Sequence, residues 1–158
     1  MMCVISLVSC RPEGVNPTKC RGGECTYTFR DGRQINIIED SIEQDTFIEI
    51  GLGDRRVFHY DYLADDDPRI ADDEYSENIY FEVDPDADSF LFIDAALADA
   101  MLVIQPICFC PPEVFQPLRG TLSGQKRNDD QWEIELDVEY ESYGEIVQRS
   151  FSARFARE

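Results

Sequence analysis

Lysine is nearly absent from this 158-residue chain: Lys19 and Lys126 are its only two, beside twelve arginines. Histidine occurs once, as His59, and tryptophan once, as Trp132. The 14 basic residues face 33 acidic ones, a formal net charge of −19. That imbalance excludes the basic footprint needed to hold nucleic acid or an anionic membrane surface. No apolar run reaches the roughly 18 residues that a transmembrane helix requires. Catalytic signatures are missing too: there is no G-x-S-x-G, no H-E-x-x-H and no G-x-x-x-x-G-K-[ST]. His59 shares a strand face with Asp61, no Ser or Cys nucleophile is placed around it, and it reads as a structural histidine. The sequence therefore assigns no catalytic residue.

What is present is a core. With 43% hydrophobic and 11% aromatic residues the chain is not disordered despite its charge, and its length suits one domain. An acid-rich, lysine-poor surface also suits high salt, where screening relieves self-repulsion.

The chain opens MMCVISLVSC, a short apolar run ending at Cys10. Leu7-Val8-Ser9-Cys10 resembles the lipobox of bacterial lipoproteins, an aliphatic residue and two small or aliphatic ones before a cysteine. Nothing basic precedes the run, and it is short for a signal segment. The resemblance implies cleavage before Cys10, acylation of its thiol, and a protein anchored to a bilayer in the cell envelope, facing the periplasm or exterior. On this reading residues 1–9 are the remnant of a signal peptide. Residues 10–19, with Pro12, Gly14 and Pro17, form a tether, and 20–158 form one β domain.

Four further cysteines remain: Cys20, Cys25, Cys108 and Cys110. An even number outside the cytoplasm reads as disulfides, with three connectivities open. Bridges between the two segments would close a loop worth on the order of 4 kcal/mol. A four-thiolate zinc site competes, although C-x4-C with C-x-C fits the usual ligand spacing only at its edge.

The body reads as strands and turns. Asp31-Gly32 between Thr26–Phe29 and Gln34–Ile38 predicts a hairpin, and Gly51-Leu52-Gly53-Asp54 predicts a second. Ile79–Val83 and Phe90–Ile93 flank an acidic turn and suggest a third pair. One or two helical turns are expected over 94–100, and a buried strand over 101–110. At the C-terminus Trp132, Ile134, Leu136, Val138 and Tyr140 alternate with acids, which predicts a half-buried antiparallel strand. Leu118 to Gly124 precedes it, and Val147 to Phe155 returns after Ser142-Tyr143-Gly144. The expected architecture is all-β, an antiparallel sandwich or small barrel closed by a C-terminal meander. Phe58, Tyr60 and Tyr62 share a face, and Tyr75, Tyr80 and Tyr143 lie near turns; such aromatics are chiefly core but also suit glycan or protein contacts.

Between Asp61 and Asp88 stand twelve acids and a single base, Arg69. Hard cations take several carboxylate oxygens at once, so Asp65, Asp67, Asp72, Asp84, Asp86 and Asp88 are candidate calcium ligands. Asp84, Asp86 and Asp88 have the spacing of an EF-hand opening, but Ser89 and Ala95 stand where its glycine and bidentate glutamate belong. Three functions follow as expectations. The first is a non-catalytic, lipid-anchored envelope protein with a binding or structural role toward an envelope protein or glycan, without cofactor. The second is a calcium-dependent adhesion module using residues 61–88. The third is a secreted hydrolase working through carboxylates.

Overall fold

The computed structural model describes residues 17–40, 45–65, 69 and 75–158. The lipobox lies outside them. Nine strands and one 3₁₀ helix run in the order β1 Thr18–Cys20, β2 Gly23–Glu39, β3 Thr46–Ala64, β4 Ser76–Val83, β5 Ser89–Ile93, the helix Asp94–Ala100, β6 Val103–Ile107, β7 Arg119–Asn128, β8 Gln131–Ser142 and β9 Glu145–Arg157. All nine belong to one sheet, ordered β5-β7-β8-β9-β2-β3-β4-β6, with β1 added alongside β2. Every ladder is antiparallel except β2–β9, which is parallel through Thr28↔Ala156 and Phe29↔Arg157. The expectation of an all-β fold with one short helix holds. The sheet is a single curled layer whose edges β5 and β6 do not pair, so it is not closed into a barrel.

The C-terminal meander follows directly from binary patterning. β8 puts Trp132, Ile134, Leu136, Val138 and Tyr140 inward in strict alternation, all buried. Its partners are β7, in register Leu122↔Leu136, and β9, in register Trp132↔Phe155. The β8–β9 turn places both Tyr143 (φ 51°) and Gly144 (φ 84°) in the left-handed region, the geometry of a type I′ hairpin.

Curling brings the two halves of the sheet face to face. Phe90 of β5 lies 6.1 Å from Phe58 and 6.0 Å from Phe81 between ring centroids, and Phe58 meets Trp132 edge-on at 5.5 Å. Leu97 and Ala100 of the 3₁₀ helix are buried in the same core. The segments 79–83 and 90–93 are therefore not a hairpin pair. β4 pairs with β3 and β6, β5 pairs with β7, and the two meet only through side chains across the core.

The first two expected hairpins are also corrected. β2 and β3 are one long antiparallel ribbon, at whose far end the Asp40 N–H donates to the Asp45 carbonyl at 2.8 Å. Asp31-Gly32 and the Gly51–Asp54 stretch lie opposite each other, at register shifts on either side of Arg33. Gly32 has φ 68°, which a bulge exploits as readily as a turn does. Past these bulges the ribbon covers the outer face of the sheet. Ile35, with Ile37, Ile48 and Ile50, packs there on Val57, Val103 and Tyr80, and the Ile35 N–H donates to the Glu82 carboxylate at 3.0 Å.

Candidate functional site

Where the ribbon covers the outer face it leaves a pocket of about 320 Å³, lined by Thr28, Phe29, Arg30, Ile50, Val57, His59, Tyr80 and Glu158. Strand register explains the assembly. Thr28, His59, Tyr80 and Val103 sit side by side across β2, β3, β4 and β6, so a single row crosses four strands. The apolar wall comes from Ile50 on the covering ribbon and Val57 on the sheet.

The polar groups are fixed. The Thr28 hydroxyl donates to Glu158 Oε1 at 2.7 Å, and the other Glu158 oxygen is ion-paired with Arg30. His59 Nε2 lies 2.7 Å from Asn78 Oδ1. An amide oxygen only accepts, so Nε2 carries the proton and Nδ1 is left as an acceptor. The imidazole stacks on Tyr80 with centroids 4.3 Å apart and planes 9° from parallel. Burial pushes the His59 pKa below its ordinary value, against the opposing pull of Asn78 and Asp61, so the ring is neutral at pH 7. Burial likewise raises the Tyr80 phenol. Within the pocket the side-chain charges of Arg30 and Glu158 offset one another. It suits a small uncharged molecule with an apolar body and a few hydrogen-bonding groups.

A second polar cluster lies under the concave face. Glu77, 1% exposed, accepts from Arg149 Nε at 2.8 and 2.9 Å, from the Tyr75 hydroxyl at 2.9 Å and from the Tyr140 hydroxyl at 3.4 Å. Arg149 also reaches the Tyr75 hydroxyl at 3.3 Å. Burial, followed by the Glu77 charge, pushes the Tyr75 phenol up to about 12. Burial opposes the Arg149 charge, but the hydrogen bonds to Glu77 hold its pKa above the ordinary arginine value. All these groups are mutually satisfied, so the cluster is structural.

The cysteines pair locally: Cys20 with Cys25 (Cα atoms 5.9 Å apart) and Cys108 with Cys110 (5.1 Å). No bridge links the two segments, because Cys108–Cys110 follows β6, separated from β2 by β3 and β4. This arrangement leaves none of the four for a thiolate zinc site. β1 begins at Thr18, so the last two residues of the expected tether are already part of the sheet.

The four candidate calcium ligands among the described residues, Asp65, Asp84, Asp86 and Asp88, are not gathered at one point. Asp67 and Asp72 lie outside the described residues. Asp65, just beyond β3, accepts from Lys19 Nζ at 2.9 Å, and Asp84 stands past the far end of β4. The length of β4 separates those two, on the order of 25 Å. Asp84 Oδ1 accepts from the Asp86 N–H at 2.9 Å, and Asp88 lies 3.9 Å from Lys126. Among the described residues no three His, Cys, Asp or Glu side chains come together as metal ligands.

No protein-family model, no curated protein and no solved structure matches the chain.

Sequence reasoning did not single out Thr28, Arg30 or Glu158; Glu158 joins the two β2 residues only through the parallel β2–β9 ladder. Glu77 and Arg149 carried a usable signal. Glu77 shares the inward phase of β4 with Ile79, Phe81 and Val83, and Arg149 falls between Val147 and Phe151 on β9. Opposite charges in two apolar phases are the mark of a buried ion pair.

Proposed function

We propose that this chain is a non-catalytic, lipid-anchored protein of the bacterial envelope that binds a small uncharged ligand beneath its β2–β3 ribbon. The observation that carries the reading is the pairing of cysteines. Cys20–Cys25 and Cys108–Cys110 consume every cysteine beyond the lipobox, so after cleavage Cys10 is the one thiol available for acylation. Disulfides persist in oxidising compartments, which supports an address outside the cytoplasm.

Binding is supported by the pocket. His59 is neutral, held by Asn78 and stacked on Tyr80, and the Thr28 hydroxyl is engaged by Glu158. Such fixed polar groups beside an apolar wall orient a ligand. A single lipid-modified cysteine holds the protein to a membrane without spanning it.

Two measurements test the reading. Wild-type protein expressed in a bacterium should enter the detergent phase of a Triton X-114 separation, and Cys10→Ser should remain in the aqueous phase. Equal partitioning would remove the anchor. Titration with benzyl alcohol and with glucose, followed by NMR of the His59 and Tyr80 rings, should give saturable shifts with at least one of them. Shifts with neither would contradict the binding role.

A further inference from the structure

Phe109 is 94% exposed, the most exposed large apolar side chain among the described residues. Its loop is tightly held. The Cys108–Cys110 bridge closes around it and Pro111-Pro112 follows. The Tyr143 hydroxyl donates to the Pro111 carbonyl at 3.0 Å, and the Thr46 N–H reaches the Pro112 carbonyl at 3.5 Å. The end of β6, the β8–β9 turn and the start of β3 therefore converge on this loop. Each brings an exposed apolar residue to the same end of the molecule: Ile107, then Tyr143 with Ile146, then Phe47. Monomeric surfaces scatter such residues singly, so exposed apolar side chains on three segments tied to one loop point to an interaction site.

Charge around the group selects the occupant. Glu113 follows Pro112, and Glu141 and Glu145 flank the turn that carries Tyr143. None of these three carboxylates makes an ion pair or a hydrogen bond with a described residue. A second copy of the chain would set these carboxylates against themselves in a molecule of net charge −19. An anionic bilayer would repel them.

We propose that this end is a docking surface for a cationic amphipathic segment of another protein. Its apolar face covers Phe109, Ile107 and Tyr143, and its Lys and Arg side chains meet Glu113, Glu141 and Glu145. The bridge restrains the backbone that carries Phe109, which lowers the ordering cost of using this aromatic as the hot spot of such a contact. The assignment is independent of acylation at Cys10.

The test uses the full chain and a fluorescent Lys/Leu amphipathic helical peptide of about four turns. A Lys/Ser peptide of equal charge and phosphatidylcholine vesicles serve as controls. The Lys/Leu peptide should bind. Phe109→Ser should weaken it by about tenfold, the loss of one aromatic anchor. Combined Glu113→Gln, Glu141→Gln and Glu145→Gln should weaken it and flatten its salt dependence. Leu52→Ser, at a residue 80% exposed on the bulge of β3, should change nothing. Unaltered melting temperatures keep these variants interpretable. Four results would overturn the proposal. They are equal binding of the Lys/Ser peptide, a Phe109→Ser effect within about twofold, vesicle binding that disappears in Phe109→Ser, or a wild-type dimer that disappears in the same variant.

Discussion

Glu77 is the only buried carboxylate among the described residues, and its stability depends on Arg149 and two phenols. Removing one partner of a buried pair leaves an uncompensated charge, which typically costs about 3–5 kcal/mol. Glu77→Ala should therefore lower the unfolding free energy in urea by that order, while the double variant Glu77→Gln, Arg149→Met should recover much of the loss. A single variant within about 0.5 kcal/mol of wild type would show that the pair is not buried as described. His59 gives a pH prediction. Its folded pKa lies below the ordinary 6.5, principally through burial. Below that pH the unfolded chain binds a proton that the folded chain resists, so stability is complete above about 6.5 and declines as the solution is acidified. His59→Gln should remove this component of the acid slope in thermal melts across pH 5–8. An unchanged slope would contradict it.

The strands differ in how much of them could be read. β8 and β9 were legible because apolar and polar residues alternate without a break and Tyr143-Gly144 supplies an unmistakable reversal. β2 and β3 were not, since Asp31-Gly32 has the same local chemistry in a turn as in a bulge. Only pairing at a distance distinguishes them. β5 is legible as a strand but its partner is not: local sequence points to β4, whereas β5 pairs with β7, beyond the helix and β6. Of the candidate site, His59 was visible as an isolated histidine; its pocket was not, because Glu158 and Ile50 reach it from remote parts of the chain. At Gly124 the β5–β7 ladder can be probed directly. An added Cβ would fall 2.3 Å from the Phe90 ring and 2.7 Å from Ile134, so Gly124→Ala overpacks the core. A loss of about 1–3 kcal/mol is expected in denaturant titration. The Cys20–Cys25 bridge, which closes a short loop, should contribute roughly 2 kcal/mol by the chain-entropy model. Replacing both cysteines by Ser should lower stability accordingly, and no change would indicate free thiols.

For the molecule as a whole, charge is the dominant long-range term. Several acids are paired: Asp31 with Arg56 and Arg157, Glu133 with Arg127 and Arg154, Glu139 with Arg119. Fourteen bases cannot neutralise 33 acids, and the excess repels itself in the compact state. Melting temperature should rise as sodium chloride screens that repulsion, and a flat response would mean that local pairing already cancels it. Disulfides, acidic surface and lipobox resemblance support the proposal of an anchored protein outside the cytoplasm; the fold itself carries a pocket on one face and an exposed apolar loop closed by a bridge. Intact mass spectrometry of protein recovered from bacterial membranes tests that account most directly. It predicts a chain beginning at Cys10, heavier by a lipid group and lighter by the four hydrogens lost in forming two bridges. Recovery of the unmodified chain from Met1 in the soluble fraction, with all six thiols reduced, would contradict it.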